Sequence, residues 1–402
     1  MKILKVSVLI MIGLLAVGPS LFSDWSMPSQ SEYKQEMEKF SEFYRKSLGE
    51  FGIVGSSFMF IYDNEILSKE MYGMANLDQK KQIDWDTIYH WASITKTFTG
   101  IAIMQLGDRG LLELDDPIIK YIPSLREVYN PFGDMKDITI RHLLSHTSGF
   151  RGATFPWKSK PWHPHEPLHC EQLEAMFPYT QILFKPGSQW SYSNPGIVFL
   201  GRVIELLTTD DWEVYIDKNI FKPLGMNWSY FDTTPYFLLK HKCQSYFRQD
   251  DNLIPADPDV NTGITVSNGG LKAPFGDFLK YINFLMGDND KQERYNAVLK
   301  RTSLQEMFEP QIEMEYGSDF PGRNRKDAMG LTFFLEDNYG MHFVCHSGGQ
   351  NAFVTHFYLN PKNRTAYVAG FNTLNMDEKK NTRILDRRIK EYLFEHIFPL
   401  FN

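Results

Sequence analysis

Ser93 and Lys96 stand three residues apart in WASITKTFTG, where helical spacing begins, so their side chains face the same way. A serine hydroxyl is a poor nucleophile until a neighbour takes its proton, and Lys96 is within reach to help. The first turn of a helix also supplies main-chain donors that favour developing negative charge. The spacing is common by itself: Ser31 and Lys34 repeat it where a solvated helix face explains both. Tyr192 and Asn194 lie in KPGSQWSYSNPG, after a proline and glycine turn that suits a loop presenting side chains to a cleft. Tyr62 with Asn64, and Tyr281 with Asn283, repeat this spacing where strand-end and helix-packing readings are adequate. His346, Ser347, Gly348 and Gly349 follow a predicted strand, Met341 to Cys345. Two glycines at a strand end let another backbone or a ligand come close, as an oxyanion hole requires. Alone, that segment also reads as a tight turn with a surface histidine.

The elements that must position these groups follow from periodicity. Ser31 to Gly49 spaces Met37, Phe40, Phe43, Tyr44 and Leu48 as one face of an amphipathic helix. Val54 to Tyr62 and Ile66 to Tyr72 are β-rich, with Asp63 and Asn64 at the turn of a hairpin. Helical patterns dominate from Ser93 to about Leu239, interrupted from Phe150 to Cys170 by a loop of tryptophan, proline and histidine. Strand character returns at Met341 to Cys345, Phe353 to Leu359 and Thr365 to Phe371, the last two forming a hairpin around Asn360 to Asn363. A helix from about Met376 to His396 aligns Leu385, Ile389, Tyr392 and Leu393. The predicted fold class is α+β: an antiparallel sheet flanked by N- and C-terminal helices, with a large, mainly helical insertion. One domain over 31–398 has an α/β part at about 31–92 and 260–398 and a helical part at about 93–259. The cleft is expected where the insertion meets the sheet.

Of 402 residues, 43% are hydrophobic and 23% charged, which excludes intrinsic disorder. A net charge of -7 without a long basic run argues against nucleic acid as a partner. Met1 to Lys5 carries two lysines and Val6 to Gly18 is apolar, so residues 1–23 read as a secretory signal, cleaved or kept as a membrane anchor. The protein is therefore expected to be exported, periplasmic or extracellular. Cys170, Cys243 and Cys345 form no CxxC pair, and a buried, unpaired state is expected for each. His163, His165, His169 and Cys170 crowd one loop and offer zinc-type ligands, yet prolines interrupt the segment and no second histidine cluster accompanies it. We read it as a wet loop at the cleft mouth, with no metal. Trp157 and Trp162, with Phe155, form either an apolar wall for an acyl chain or a satellite cluster. Asn227-Trp-Ser and Asn363-Arg-Thr fit a glycosylation pattern.

Ser93 with Lys96, Tyr192 with Asn194, and His346 with Gly348 and Gly349 form a far rarer combination than any one pair. In this combination the chain resembles the serine beta-lactamase and penicillin-binding-protein superfamily, in the class C-like branch that includes esterases and D-amino-acid peptidases. LDDPIIKYIP (Leu114 to Pro123), ITIRHLLSHTSG (Ile138 to Gly149) and FKPGSQWSYSN (Phe184 to Asn194) support it, and the resemblance runs from about Ser31 to the C-terminus.

The resemblance implies a beta-lactamase/transpeptidase-like fold and Ser93 as the acylated nucleophile. Lys96 and Tyr192 would share the general-base work, and Asn194 would position Lys96 or substrate. The main-chain N–H groups of Ser93 and Gly349 would hold the oxyanion, about 3 kcal/mol per donor. A tyrosine with pKa about 10 is ionised roughly 1 part in 1000 at pH 7, costing about 4 kcal/mol, so a tyrosinate base needs a nearby cation. Beta-lactamases and transpeptidases of this superfamily usually carry lysine where His346 stands. Histidine is mostly neutral at pH 7 and binds a carboxylate less reliably. The expected activity is a secreted serine hydrolase without cofactor, acting on a small-molecule ester, amide or peptide. The alternatives are a D,D-peptidase or beta-lactamase, or a non-catalytic receptor for cell-wall fragments.

Overall fold

The computed structural model describes residues 30–154, 169–249, 252–256, 262–314 and 326–401. The predicted signal segment, Trp157, Trp162, His163 and His165 lie outside them. Helix α1 (Gln30–Glu50) buries Met37, Phe40, Tyr44 and Leu48, the face its spacing predicts. Strands β1 (Gly55–Tyr62) and β2 (Glu65–Asn76) pair antiparallel, and β2 runs four residues beyond the predicted Tyr72. Asp63 and Asn64 join them with φ of 47° and 71°, the left-handed pair that a tight hairpin requires. A short β3 (Lys81–Gln82) completes this edge.

The middle of the chain contributes α2 (Thr95–Asp108), α3 (Ile140–Leu144), α4 (Asn194–Thr208) and α5 (Val266–Gly269). It also carries short strands that periodicity did not reveal, Tyr230–Phe231, Tyr246–Gln249 and Asn252–Pro255. At two to four residues these are too short for an alternating pattern to declare itself. The sheet resumes with β4 (Ile312–Met314), β5 (Lys326–Met329), β6 (Phe334–Asn338), β7 (Met341–Gln350), β8 (Phe353–Asn360) and β9 (Thr365–Phe371). Helix α6 (Thr382–Tyr392) starts later than the predicted Met376, because Asn381 caps it by accepting the Arg383 N–H at 2.9 Å. Wider and tighter helical turns then carry the chain to Phe401.

Strands β1 to β9 form one antiparallel sheet in the order β3-β2-β1-β9-β8-β7-β6-β5-β4, and the other short strands lie outside it. Ends of the chain meet at its centre, where Ser56 pairs with Phe371 and Tyr62 with Thr365. Both faces are covered. Phe58, Phe60, Phe343, Tyr367 and Phe371 pack under α1 and α6, where Phe40 lies 4.8 Å from Phe58. Met59, Ile61, Val344, Phe357 and Val368 turn the other way, against the helical part. Burial on both faces explains why the central strands read as continuous apolar runs. Cys243 and Cys345 are buried and Cys170 is half-buried, and the three form no disulfide. Asn227 is exposed, whereas Asn363 is buried in the β8–β9 turn.

Candidate active site

Ser93 sits in a single tight turn, Ala92–Ile94, that leads directly into α2. Ala92 is forced to φ 47°, a left-handed conformation that costs a non-glycine residue about 1–3 kcal/mol. Neighbouring contacts hold the turn in place. The Trp91 indole N–H donates to the Ala273 carbonyl at 2.9 Å, and its ring stacks on Phe278 at 3.7 Å. Thr95 Oγ1 donates to the Ala92 carbonyl at 2.6 Å and accepts the Leu271 N–H at 3.0 Å.

One turn on, Lys96 is completely buried. Its Nζ lies 3.0 Å from Ser93 Oγ and 2.7 Å from the Asn268 carbonyl oxygen. Among the described residues it forms no ion pair with a carboxylate. Burial therefore holds its pKa well below the usual lysine range, favouring the neutral amine that can accept the Ser93 proton. Nζ meets Tyr192 through the ring face, 5.0 Å from the centroid. Tyr192 is stacked between aromatic neighbours, with His146 at 4.5 Å on centroids and Phe334 parallel to it at 6.4 Å.

Ser193 caps α4 by accepting the Gly196 N–H at 3.2 Å, which fixes Tyr192 just outside the helix. Asn194 is the first helical residue. Its carbonyl accepts from Asn268 Nδ2 at 3.5 Å, but its side chain makes neither hydrogen bond to Lys96. Asn268, through its main-chain carbonyl, holds the amine.

The third group also departs from expectation. His346 to Gly349 do not follow a strand; they lie within β7, which continues to Gln350. Gly348 permits this, since a β-carbon there would stand 2.1 Å from the Trp91 carbonyl oxygen, so the strand can lie directly against the Ser93 turn. Gly349 borders open space, with nothing within 4 Å of an added β-carbon. His346 is buried rather than on the surface. Its Nδ1–H donates to the Ser347 carbonyl at 2.8 Å, leaving Nε2 as a buried acceptor with no partner among the described residues. Burial, then the nearby Lys96, pushes its pKa down to about 3, so the ring is neutral across the physiological range.

Of the competing residues, Tyr281 is buried and donates to Thr97 Oγ1 at 2.6 Å, while Asn64 and Asn283 pin the β1–β2 turn. These are packing roles. His169 and Cys170 begin a short helix, and burial with Glu174 close by pushes the Cys170 thiol up to about 12, away from the thiolate that a metal prefers. Among the described residues no group of three histidine, cysteine or acidic side chains is arranged to hold a metal ion.

Comparisons with known proteins find relatives that share the fold. The chain is 27% identical over 342 residues to Protein flp of Staphylococcus aureus (strain COL), covering 84% of this chain and 64% of that protein, so it spans less than two thirds of the relative's length. The octameric penicillin-binding protein homologue from Pyrococcus abyssi superposes with a TM-score of 0.70 at 26% identity, over 84% of this chain and 73% of that one. EstCE1, described as a hydrolase with promiscuous acyltransferase activity, shares the fold at a TM-score of 0.73 and 19% identity, over 90% and 99% of the two chains. The family model for Beta-lactamase matches residues 39–389, a span that takes in Ser93, Lys96, Tyr192 and His346, and the chain belongs to that family.

Proposed function

We propose that the protein is an exported serine hydrolase that cleaves a small ester or amide through an acyl-enzyme on Ser93. The observation that carries this reading is the 3.0 Å contact between Ser93 Oγ and a fully buried lysine amine. Lys96 Nζ takes the hydroxyl proton as Oγ bonds to the substrate carbonyl carbon. Collapse of the tetrahedral intermediate breaks the bond to the alcohol or amine, which leaves with that proton, passed on by Lys96 and Tyr192. Water then attacks the acyl-serine, its proton returns through the same base to Ser93 Oγ, and the carboxylic acid departs. The Ser93 and Gly349 N–H groups are assigned to the oxyanion.

Substrate preference is read from His346. A neutral ring with a bare acceptor nitrogen suits a donor group or water and offers no fixed charge to a carboxylate, which favours simple esters and amides over beta-lactams. The charged and apolar start of the chain supports export, by cleavage or as a membrane anchor.

The test is p-nitrophenyl butyrate hydrolysis by the chain and its Ser93→Ala variant, prepared identically. We expect activity that falls at least about 1000-fold in the variant. Equal turnover by both proteins rejects Ser93 as the nucleophile and favours a binding role for the cleft.

A further inference from the structure

His146 brackets the candidate base from both sides. Its carbonyl oxygen accepts the Ser191 N–H at 2.9 Å, and its Nδ1 accepts the Ser193 N–H at 3.1 Å, so the residues before and after Tyr192 are tied to one side chain and its own backbone. The imidazole lies against the Tyr192 ring, 4.5 Å between centroids. Accepting at Nδ1 places the neutral ring's proton on Nε2, which is buried without a partner among the described residues. The residue is fully buried, and its backbone has φ 57°, a conformation that few side chains tolerate.

The left-handed step at His146 closes α3: the His146 N–H donates to the Leu143 carbonyl at 3.3 Å and the Thr147 N–H to the His142 carbonyl at 2.9 Å. Helix α3 ends at Leu144 with Ser145 as its C-cap, and His146 follows directly. The left-handed step at His146 aims the carbonyl and the ring at the same loop. Lys96 Nζ also contacts the Tyr192 ring, so a small rotation of Tyr192 changes the surroundings of the amine that faces Ser93.

We propose that His146 is the positioning residue of Tyr192, a clamp that sets the tyrosine against Lys96 for proton transfer. This rests on the Ser93 acyl-enzyme reading. The clamp requires an acceptor at the Nδ1 position and a residue that accepts positive φ, and asparagine supplies both whereas glycine supplies only the second.

The experiment is a double-mutant cycle on the full chain with p-nitrophenyl butyrate, combining His146→Gly or His146→Asn with Tyr192→Phe, beside Ser93→Ala. His146→Gly is expected to lower kcat about 100-fold with KM changed less than about 3-fold. In the Tyr192→Phe background it should cost less than about 3-fold, since the group it positions is already gone. His146→Asn should recover kcat to within about 10-fold of the parent. If His146→Gly does not fold, His146→Ala, which lacks the acceptor and is small at the left-handed position, takes its place. Equal costs in both backgrounds, or no recovery with asparagine, overturn the clamp while an inert Ser93→Ala leaves the nucleophile assignment standing. An active Ser93→Ala overturns both.

Discussion

The Trp91 carbonyl oxygen occupies the space into which a β-carbon on Gly348 would project, 2.1 Å away. Trp91 precedes the nucleophile turn and Gly348 lies in the strand beside it, so this contact sets how closely the two halves of the site approach. Gly348→Ala should therefore force the strand off the turn, lowering stability by about 1–3 kcal/mol. Gly349→Ala, facing open space, should change stability by less than about 0.5 kcal/mol. Chemical denaturation of the two variants checks the contrast; similar losses from both would show that the Trp91 contact is not what constrains the strand.

Lys96→Arg places a permanent cation at the site and removes the capacity to take the Ser93 proton. Hydrolysis of p-nitrophenyl butyrate should fall at least about 1000-fold. In the parent, kcat/KM should rise with pH as Lys96 loses its proton, along a limb lying below the usual lysine range. A Lys96→Arg enzyme within about 10-fold of the parent would remove the lysine from the mechanism.

His346→Lys would place a second amine beside Lys96. Turnover of a beta-lactam such as nitrocefin, measured against p-nitrophenyl butyrate, should gain at least about 10-fold in relative kcat/KM as a fixed charge becomes available to the carboxylate. An unchanged or smaller ratio would detach substrate choice from this position.

Three buried histidines make acid stability predictable. Burial and Lys272 push His90 down to about 4, burial and Lys96 push His346 down to about 3, and His146 is also depressed. Each stays neutral when folded but binds a proton when unfolded below about pH 6.5, so folding stability drops as pH falls from about 6.5 toward 4. The slope should reach about 1.4 kcal/mol per pH unit for each histidine. Urea midpoints at pH 7, 6 and 5 measure it, and replacing His90 with glutamine should flatten the curve by one proton. A midpoint independent of pH over this range would contradict the assignment.

Much of this architecture was legible because its signals are local. The stripe of Phe40, Tyr44 and Leu48 defined α1, and Asp63-Asn64 located the first hairpin. Ser93 and Lys96 were legible for the same reason, since their contact needs only one helical turn. Asn268 was not, because it acts through a carbonyl that every residue possesses and reaches Lys96 from 172 residues away. His146 lay in plain sight within SHTSG, but its bonds to the Tyr192 loop depend on a positive φ that no periodic pattern reports. The strand through His346 was read as ending early because two glycines ordinarily weaken a strand; here they are what lets it pass Trp91.

The sheet's central seam also imposes an order of events on synthesis. Ser56 on β1 hydrogen-bonds to the Gly370 carbonyl, 314 residues further along, so β1 has no β9 neighbour until those residues have been made. At roughly 5–20 residues per second that wait lasts about 15–60 s, during which an apolar strand edge stays open to association with other chains. Loss of the last thirty or so residues would remove β9's closing helix but not the nucleophile turn, leaving Ser93 in a chain whose seam is poorly covered. The protein should thus depend on chaperones or delayed folding far more than its catalytic residues, all present by Gly349, would suggest.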